Sequence, residues 1–192
     1  MKITETLAKS ILIKSALPGN DFVVNPYSGC GFGCAYCYAD FTRRFQGHLQ
    51  DKWGEYVDVR INAPEVLEKE IKSLIKKISY EGSNHNWKGG KYPIIWFSSV
   101  TDPYQSVEAK YKITRKCLEV LVKNNYPGNV SILTKSPLVT RDIDLFKKLK
   151  NTSIGLTITS TDDDVSRLFE KHAPTASARI HALRKLNAEG LN

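Results

Sequence analysis

The sequence predicts an α/β protein whose parallel strands and helices form a partial (β/α) barrel. From residue 90 onward, apolar strand-like runs alternate with amphipathic helical stretches, and this alternation implies parallel strands joined by right-handed crossovers. The chain has 192 residues, whereas a closed eight-stranded barrel needs about 250. A further strand is due at residues 190–192. We therefore expect a barrel that is partial by nature or truncated, after about four core βα units.

The first half of the chain contains two strand patterns and the clearest helix. The run DFVVN at 21–25 is mainly apolar, and EYVDVRI at 55–61 alternates as a half-buried strand does. Residues 62–78 repeat apolar side chains at helical spacing. No linker or internal repeat interrupts the chain, so we expect an N-terminal extension at 1–20 and one core domain at 21–192.

The second half contains three strand patterns and four helical ones. The strands are expected at 92–100, 129–136 and 153–160. The helices between them are expected at 108–125 and 141–150. Two more helices follow: Asp162 is the N-cap of the first, and the second begins at Thr175 and ends at Gly190. Asp and Thr are favoured at the start of a helix and Gly just after its end.

The composition indicates a globular protein with a basic surface. There are 28 Lys and Arg against 20 Asp and Glu, a net charge of +8. This excess favours a polyanionic partner such as nucleic acid, although lysines spread over helices are also typical of a solvated surface. No apolar run approaches the ~20 residues that span a membrane. The four cysteines do not resemble a secreted disulfide framework, so a reducing cytoplasm is the expected compartment.

Three of the four cysteines lie within eight residues, in the stretch NPYSGCGFGCAYCYAD at 25–40. A structural zinc site normally has four ligands. Cys117 lies on the apolar face of a predicted helix, where a buried inert thiol is the usual occupant. His48 is the one histidine near the cluster in sequence. A zinc site that uses it remains an alternative interpretation.

An iron–sulfur cluster accounts better for three cysteines. Cys30, Cys34 and Cys37 are spaced CxxxCxxC, and thiolates are the usual ligands of such clusters. A four-iron cubane has four iron corners, so three cysteines leave one iron open. An open coordination position on a metal is where a substrate or cofactor binds.

This spacing resembles the signature of the radical S-adenosylmethionine (SAM) superfamily. In that family the open iron of a 4Fe-4S cluster binds SAM, and the resemblance implies the same here, with Cys30, Cys34 and Cys37 as the metal ligands. The similarity covers about residues 20–192 and points to the spore photoproduct lyase-related, photolyase-like subgroup. It is carried by the motif at 25–40 and by WGEYVDVRINAPEVLEKEI, SSVTDPYQSVE, VSILTKSPLVTRDIDLFKKL and KHAPTASARIHALRKLNAEGL.

The resemblance implies an enzyme with a radical SAM type of partial barrel. A reduced cluster would cleave SAM reductively, and the resulting 5′-deoxyadenosyl radical would abstract hydrogen from a substrate, with a nucleic-acid base as the expected class. A flavodoxin- or ferredoxin-like electron donor is the implied partner. The alternative is a non-catalytic, metal- or cluster-stabilised nucleic-acid-binding module.

The resemblance also assigns a SAM pocket. Tyr36 matches the aromatic residue beside the adenine, and Lys135 matches the lysine that holds the SAM carboxylate. The remaining candidates are Ser98, Ser99, Thr101 and Asp102 near the SAM amino group and Thr157 and Thr159 near the ribose. Other interpretations stay open, because Thr and Asp favour a capped turn before Pro103 and threonine is a common strand residue.

One position departs from the lyases. They return a hydrogen atom to the product from a cysteine, whereas the matching residue here is Ser99. A serine O–H bond is too strong to replace a thiol in this role. Tyr36 and Tyr38 match the tyrosines that flank the last cysteine and are the remaining relay candidates. The resemblance thus implies the fold and radical initiation, but not the repair of spore photoproduct.

Overall fold

The computed structural model describes residues 1–81 and 86–191, and its strands form two separate sheets. The strands in these residues are β1 (Lys2–Thr6), β2 (Leu12–Lys14), β3 (Phe22–Val24), β4 (Tyr27–Ser28), β5 (Tyr56–Arg60), β6 (Ile95–Phe97), β7 (Asn129–Thr134) and β8 (Asn151–Leu156). The α-helices are α1 (Ala63–Glu81), α2 (Glu108–Tyr111), α3 (Ile113–Lys123), α4 (Ile143–Phe146), α5 (Asp163–Phe169) and α6 (Ala176–Ala188).

The larger sheet has five strands in the order β2-β3-β6-β7-β8. Strands β3, β6, β7 and β8 are mutually parallel, and β2 pairs antiparallel with β3 at one edge. This confirms the predicted α/β architecture with parallel strands. Since parallel strands end at the same edge of a sheet, the loops that follow β3, β6, β7 and β8 meet there.

One face of this sheet is covered by helices. Apolar side chains of α1 at 67, 71, 74 and 78 are buried, as the helical periodicity predicts, and α1 packs against α3. They join side chains from the strands, among them Phe97, Val130 and Ile132, in one core. Burial of this apolar face supplies the main stabilisation, on the order of 25 cal/mol per Å² of apolar surface removed from water.

The smaller sheet positions the cysteine loop. Its order is β1-β5-β4, with β1 parallel and β4 antiparallel to β5. Strand β4 ends two residues before Cys30. The N-terminal segment at 1–20 contributes to both sheets, and the Glu70 carboxylate of α1 fixes it by accepting hydrogen bonds from the backbone of Ile11 and Leu12.

The predicted helix at 108–125 is interrupted. Helix α2 ends at Lys112, which has a left-handed φ of 55°, and α3 begins directly after it. The reason is the buried Glu108, whose carboxylate accepts hydrogen bonds from the backbone N–H groups of Thr114 and Arg115 in the first turn of α3. The same carboxylate accepts from Tyr27 of β4. Glu108 therefore links the strand before the cysteine loop to a helix of the core.

The remaining elements follow the sequence with shorter bounds. In the predicted helix at 141–150, α4 is preceded by a 3-10 helix over Pro137–Asp142. Asp162 and Thr175 are N-caps, as predicted, and Gly190 has a φ of 74° after α6. Strand β8 ends at Leu156 rather than at 160. Within the described residues, no helix combines the length and apolarity that a membrane crossing requires.

Candidate functional site

The three clustered cysteines line one cavity at the carboxyl edge of the parallel strands. The cavity has a volume of about 250 Å³. Cys30 and Cys34 are buried, Cys37 is half-buried, and all three are free thiols. After Cys37 the chain continues as a 3-10 helix over Tyr38–Phe45. The sequence motif thus places its three sulfurs around a single space.

Two glycines allow the cysteine loop to pack tightly on the smaller sheet. Gly29 has a φ of 76°, and a Cβ there would lie 2.5 Å from the backbone oxygen of Tyr56. Gly33 has a φ of 55°, and a Cβ there would lie 3.0 Å from the Cα of Gly54. Only glycine, which has no Cβ, tolerates this conformation together with such a close backbone approach. The glycines therefore seat the loop against its protein neighbours.

A side chain from the loop after β6 holds the cysteine loop from the other side. The Gln105 Oε1 accepts the Gly31 N–H at 2.8 Å, and its Nε2 donates to the Gly29 oxygen at 3.2 Å. The Thr101 hydroxyl donates to the same Gly29 oxygen. These bonds fix the predicted cofactor residue Thr101 relative to the cysteine loop.

Ser98 and Ser99 lie where the chain turns away from β6. Ser98 has a left-handed φ of 67°, and within the described residues its buried Oγ has no hydrogen-bond partner. The Ser99 N–H donates to Asn25 Oδ1 at 3.0 Å, and its carbonyl accepts from the Tyr38 hydroxyl. Both serines and Tyr38 line the cysteine cavity. An unpaired buried hydroxyl at the cavity wall is available to a bound molecule.

Asp102 ties the end of β6 to the end of β7. Its Oδ1 accepts from the Thr134 hydroxyl at 2.6 Å and from the Tyr104 N–H at 2.8 Å, and its Oδ2 accepts from the Lys135 N–H at 2.8 Å. Burial raises the pKa of this carboxyl. These bonds match the capped-turn interpretation of Asp102, although the residue also lines the cavity.

Lys135 follows β7 and reaches toward a buried carboxylate. Its Nζ lies 3.9 Å from Glu170 Oε1 and 5.6 Å from the centre of the Tyr36 ring. Glu170 is fully buried, forms an ion pair with the fully buried Arg179, and accepts a hydrogen bond from the Tyr36 hydroxyl. Burial alone would raise the pKa of Glu170, but hydrogen bonds from Tyr36 and Arg179 lower it overall. The pKa of the Tyr36 hydroxyl is raised, mainly by burial and secondly by its hydrogen bond to Glu170.

The predicted cofactor residues divide between two cavities. Six of them line the cysteine cavity: Ser98, Ser99, Thr101, Asp102, Lys135 and Thr157. Tyr36 and Thr159 line a second cavity of about 310 Å³ together with residues of α5. Because β8 ends at Leu156, the two threonines follow the strand rather than alternate within it.

A comparison with protein families identifies the chain. The model of the radical SAM superfamily matches residues 24–192. The chain belongs to the radical SAM superfamily.

Three relatives illustrate the similarity. An uncharacterized protein of Methanocaldococcus jannaschii is 35% identical over 191 residues, which are 100% of this chain and 64% of the relative. An uncharacterized protein of Mycobacterium tuberculosis is 28% identical over 98% of this chain and 53% of its own length. An uncharacterized protein of Acidianus two-tailed virus is 31% identical over 85% of this chain and 50% of its own length. This radical SAM chain thus spans about half to two thirds of these relatives. No solved structure matches it.

The donor set of this radical SAM chain fits an iron–sulfur cluster. The cavity-lining residues combine three free thiols with three buried polar atoms, Ser98 Oγ, Trp53 Nε1 and Trp96 Nε1, that have no hydrogen-bond partner within the described residues. In those residues no three His, Cys, Asp or Glu side chains are grouped to share one metal ion. The three thiolates of a four-iron cubane need not converge on a single metal ion, because each of them binds a different iron.

Burial disfavours the ionised form of all three thiols. Burial raises the pKa of Cys30 and Cys37 and raises the pKa of Cys34 to about 11. The positive charge of Lys135 acts in the opposite direction on Cys34 and Cys37. A metal that binds here therefore displaces protons from the thiols. Cys117 is fully buried in α3, as its apolar helix face predicts.

His48 does not complete a zinc site with the cysteines. Its Nδ1 lies 2.5 Å from Asp51 Oδ2 and its Nε2 lies 2.9 Å from Asp58 Oδ2. Both ring nitrogens are therefore occupied by carboxylates. Burial alone would lower the pKa of His48, but the two carboxylates raise it overall. His85 lies outside the described residues.

Proposed function

We propose that Cys30, Cys34 and Cys37 bind a 4Fe-4S cluster and that SAM occupies the adjoining cavity. One observation carries the proposal: these three thiols and six of the eight predicted SAM contacts line the same 250 Å³ space. When bound, the cluster and SAM supply reductive cleavage of the sulfonium and a radical that abstracts hydrogen from a substrate. The chain's own contribution is to hold, orient and enclose them.

Lys135 is the residue we assign to the SAM carboxylate. Its side chain is 18% exposed and lines the cysteine cavity, and its ammonium lies 3.9 Å from Glu170 Oε1 and 5.6 Å from the centre of the Tyr36 ring. A flexible ammonium with three N–H groups can keep its contact with Glu170 and still donate to a second carboxylate. Ser98 Oγ is the unpaired group that we assign to the polar end of SAM.

We further propose that β3, β6, β7 and β8, with their helices outside, are part of a partial (β/α) barrel of the radical SAM type. The parallel order of these strands and the site at their carboxyl edge support this proposal. Membership of the spore photoproduct lyase-related subgroup stays a proposal from the resemblance. So does radical relay through Tyr36 or Tyr38, both of which are half or more exposed.

A nucleic-acid base is the proposed substrate class, and a flavodoxin- or ferredoxin-like protein is the proposed electron donor. The net charge of +8 favours a polyanion. Efficient repair of spore photoproduct is not proposed, because Ser99 stands at the position of the thiol donor and the spare thiol, Cys117, is fully buried in α3. The same charge is compatible with the alternative, a non-catalytic nucleic-acid-binding module.

Metal content tests the proposal. The chain, reconstituted anaerobically with iron and sulfide, should contain about four of each, in keeping with a four-iron cubane. Replacing Cys30, Cys34 or Cys37 with Ala should remove the cluster, because one iron loses its ligand. Cys117→Ala is the matched control and should keep it.

Two results would contradict the ligand assignment. Loss of the absorbance of the cluster in Cys117→Ala would show that the wrong thiols were chosen. One zinc per chain, with no spectral change on adding SAM, would favour the non-catalytic module.

A further inference from the structure

His48 follows the clustered cysteines in the chain and contacts two carboxylates. Its Nδ1 lies 2.5 Å from Asp51 Oδ2, and its Nε2 lies 2.9 Å from Asp58 Oδ2. A neutral imidazole has a single N–H and would turn a lone pair toward one of these carboxylates, whereas an imidazolium donates to both. The His48 side chain is 8% exposed, so salt and water screen these charges weakly. The geometry therefore favours the charged form of His48.

Asp58 joins the two ends of the segment that carries the cysteines. Its backbone pairs in register with Ser28, which ends β4 just before the cysteines. Its carboxylate bonds to His48, which lies beyond the 3-10 helix that follows Cys37. The contact between His48 and Asp58 therefore closes a loop over residues 28–48, and this loop contains all three clustered cysteines.

The ring of His48 also reaches the cysteine loop through a neighbour. It stacks on the ring of Tyr56, with centroids 3.9 Å apart. The Tyr56 ring packs so closely on Gly29 that a Cβ at Gly29 would lie 2.7 Å from Tyr56 Cε2. A change in the position of His48 is therefore transmitted to the backbone next to Cys30.

The turn at residues 52–55 makes a second contact with the loop. Gly54 has a φ of 95°, and a Cβ there would lie 2.8 Å from the Cα of Gly33. The turn begins directly after Asp51, whose carboxylate is bonded to His48. His48 thus fixes the cysteine loop at two places, through the stacked ring and through this turn.

The other ionisable groups near His48 and its two carboxylates come from three elements. They are Lys2 of β1, Asp40 and Arg43 of the 3-10 helix, and Tyr56 and Arg60 of β5. Lys2 Nζ lies 3.7 Å from Asp51 Oδ2 and shares that carboxylate with His48. Histidine is the side-chain type that ordinarily titrates near neutral pH.

The charge of His48 has a defined pH range. Burial alone would lower the pKa of His48, but the two carboxylates raise it overall. The charge is therefore fully present below the ordinary imidazole pKa of about 6.5 and is lost as the pH rises through the raised value.

We infer that His48 is a positioning residue: as an imidazolium between Asp51 and Asp58, it closes the segment that carries the three cysteines and keeps their loop in place for the cluster. That this loop serves a cluster rests on the proposed function. Loss of the proton leaves a lone pair facing a carboxylate and breaks one of the two bonds. The cysteine loop should then loosen, and a bound cluster should be released more readily.

Hydrogen exchange of the metal-free chain tests the closure without a cluster. Protection of the backbone amides of residues 29–37, relative to intrinsic exchange at each pH, is measured from about pH 6 to about pH 9, across the ordinary range of imidazole titration. In the wild-type chain it should fall about tenfold or more as His48 loses its proton, because a charged hydrogen bond contributes about that factor. In His48→Gln, whose side chain carries no charge, it should already be low at the acid end and change little.

Two further variants make the comparison specific. His181→Gln is the matched control, because His181 is exposed on α6, and it should follow the wild-type profile. Asp58→Asn keeps the shape of the side chain but removes one carboxylate charge. In that variant His48 should lose its proton at a lower pH, as followed by the NMR signals of its ring, and the protection should fall at that lower pH too.

Iron retention tests the consequence for the cluster. Wild type and His48→Gln, both reconstituted with iron and sulfide, are passed through gel filtration over the same pH range. They are compared at each pH, because the ionisation of the thiols also makes metal binding depend on pH. Wild type should retain more iron than His48→Gln at the acid end of the range, and the two should become equal at the alkaline end.

The outcomes distinguish this inference from the proposed function. Equal protection of residues 29–37 in wild type and His48→Gln at every pH would overturn the inference and leave the cluster assignment intact. So would equal iron retention, or a ring of His48 that titrates below the ordinary value. A wild-type chain that takes up no iron would overturn the proposed function, whereas the hydrogen-exchange comparison would still decide whether His48 closes the loop.

Discussion

At the scale of single residues, Glu170 organises one side of the site. It accepts hydrogen bonds from Tyr36 and Ser166, pairs with Arg179, and attracts Lys135 from 3.9 Å. Sequence reasoning identified Tyr36 and Lys135 but missed Glu170, because 134 residues separate Glu170 from Tyr36 and neither periodicity nor motif spacing reports contacts over such a distance. The buried charge of Arg179 carries no sequence signal either, since it lies in an ordinary helical pattern.

Removing the charge of Glu170 should destabilise the fold strongly. In Glu170→Gln the fully buried Arg179 loses its counter-charge, and breaking a buried pair from one side costs about 3 kcal/mol or more of the free energy of unfolding. Urea denaturation measures this value. The control is Glu189→Gln, which breaks the exposed pair with Lys147 and should change little. Equal effects of the two substitutions would contradict the role of burial.

The same variant has a defined pH dependence. The pKa of Glu170 is lowered in the folded chain, so its ionic contribution is present above the ordinary carboxyl pKa and is lost as the pH falls through the acid range. The difference in unfolding free energy between wild type and Glu170→Gln should therefore shrink on acidification. A difference that stays constant below pH 4 would contradict this assignment.

At the scale of elements, the sequence predicted those helices and strands whose buried side chains recur at regular intervals along the chain. Helix α1 and the parallel strands were predicted because their buried side chains repeat with the period of the element. Strand β1 was not predicted, because residues 2–5 are exposed and show no alternation; its pairing partner β5 lies some fifty residues away. The break at Lys112 was missed because its cause, the cap provided by Glu108, depends on tertiary burial.

The contact between the cysteine loop and the 52–55 turn should control cluster retention. In Gly54→Ala the new Cβ would lie 2.8 Å from the Cα of Gly33, so one of the two loops must move. The matched control is Gly47→Ala, because Gly47 also has a positive φ, 74°, but nothing lies within 4 Å of its Cβ position. We expect similar conformational strain in both, and loss of iron in Gly54→Ala alone. Iron and sulfide analysis after gel filtration measures the difference.

Two outcomes would contradict this view of the loops. If both variants lost iron equally, strain at a positive φ would explain the loss without any loop contact. If neither lost iron, the approach of Gly33 and Gly54 would have no part in holding the cluster.

At the scale of the whole molecule, the two sheets bring the site together. The smaller sheet carries the cysteine loop, and the larger sheet provides the loops after β6, β7 and β8 that line the rest of the cavity. The three cysteines could be predicted as one group from the sequence because they lie within eight residues of the chain. The partition of the other candidates between two cavities could not, because it depends on where β8 ends and how α5 packs.

SAM cleavage by this chain tests the assembled site. The iron-loaded chain, given dithionite and SAM, should release 5′-deoxyadenosine slowly even without a substrate, provided that the residues we assign to the cluster and to SAM suffice for cleavage in a chain that spans 64% of the Methanocaldococcus jannaschii relative. Lys135→Ala should raise the KM for SAM about tenfold or more, because a charged hydrogen bond is worth about 1.5–3 kcal/mol. Lys147→Ala, whose lysine pairs with Glu189 outside the cavity, should leave the KM unchanged. An iron-loaded chain that binds SAM and releases no 5′-deoxyadenosine would contradict the catalytic proposal, and an unchanged KM in Lys135→Ala would contradict the role assigned to Lys135.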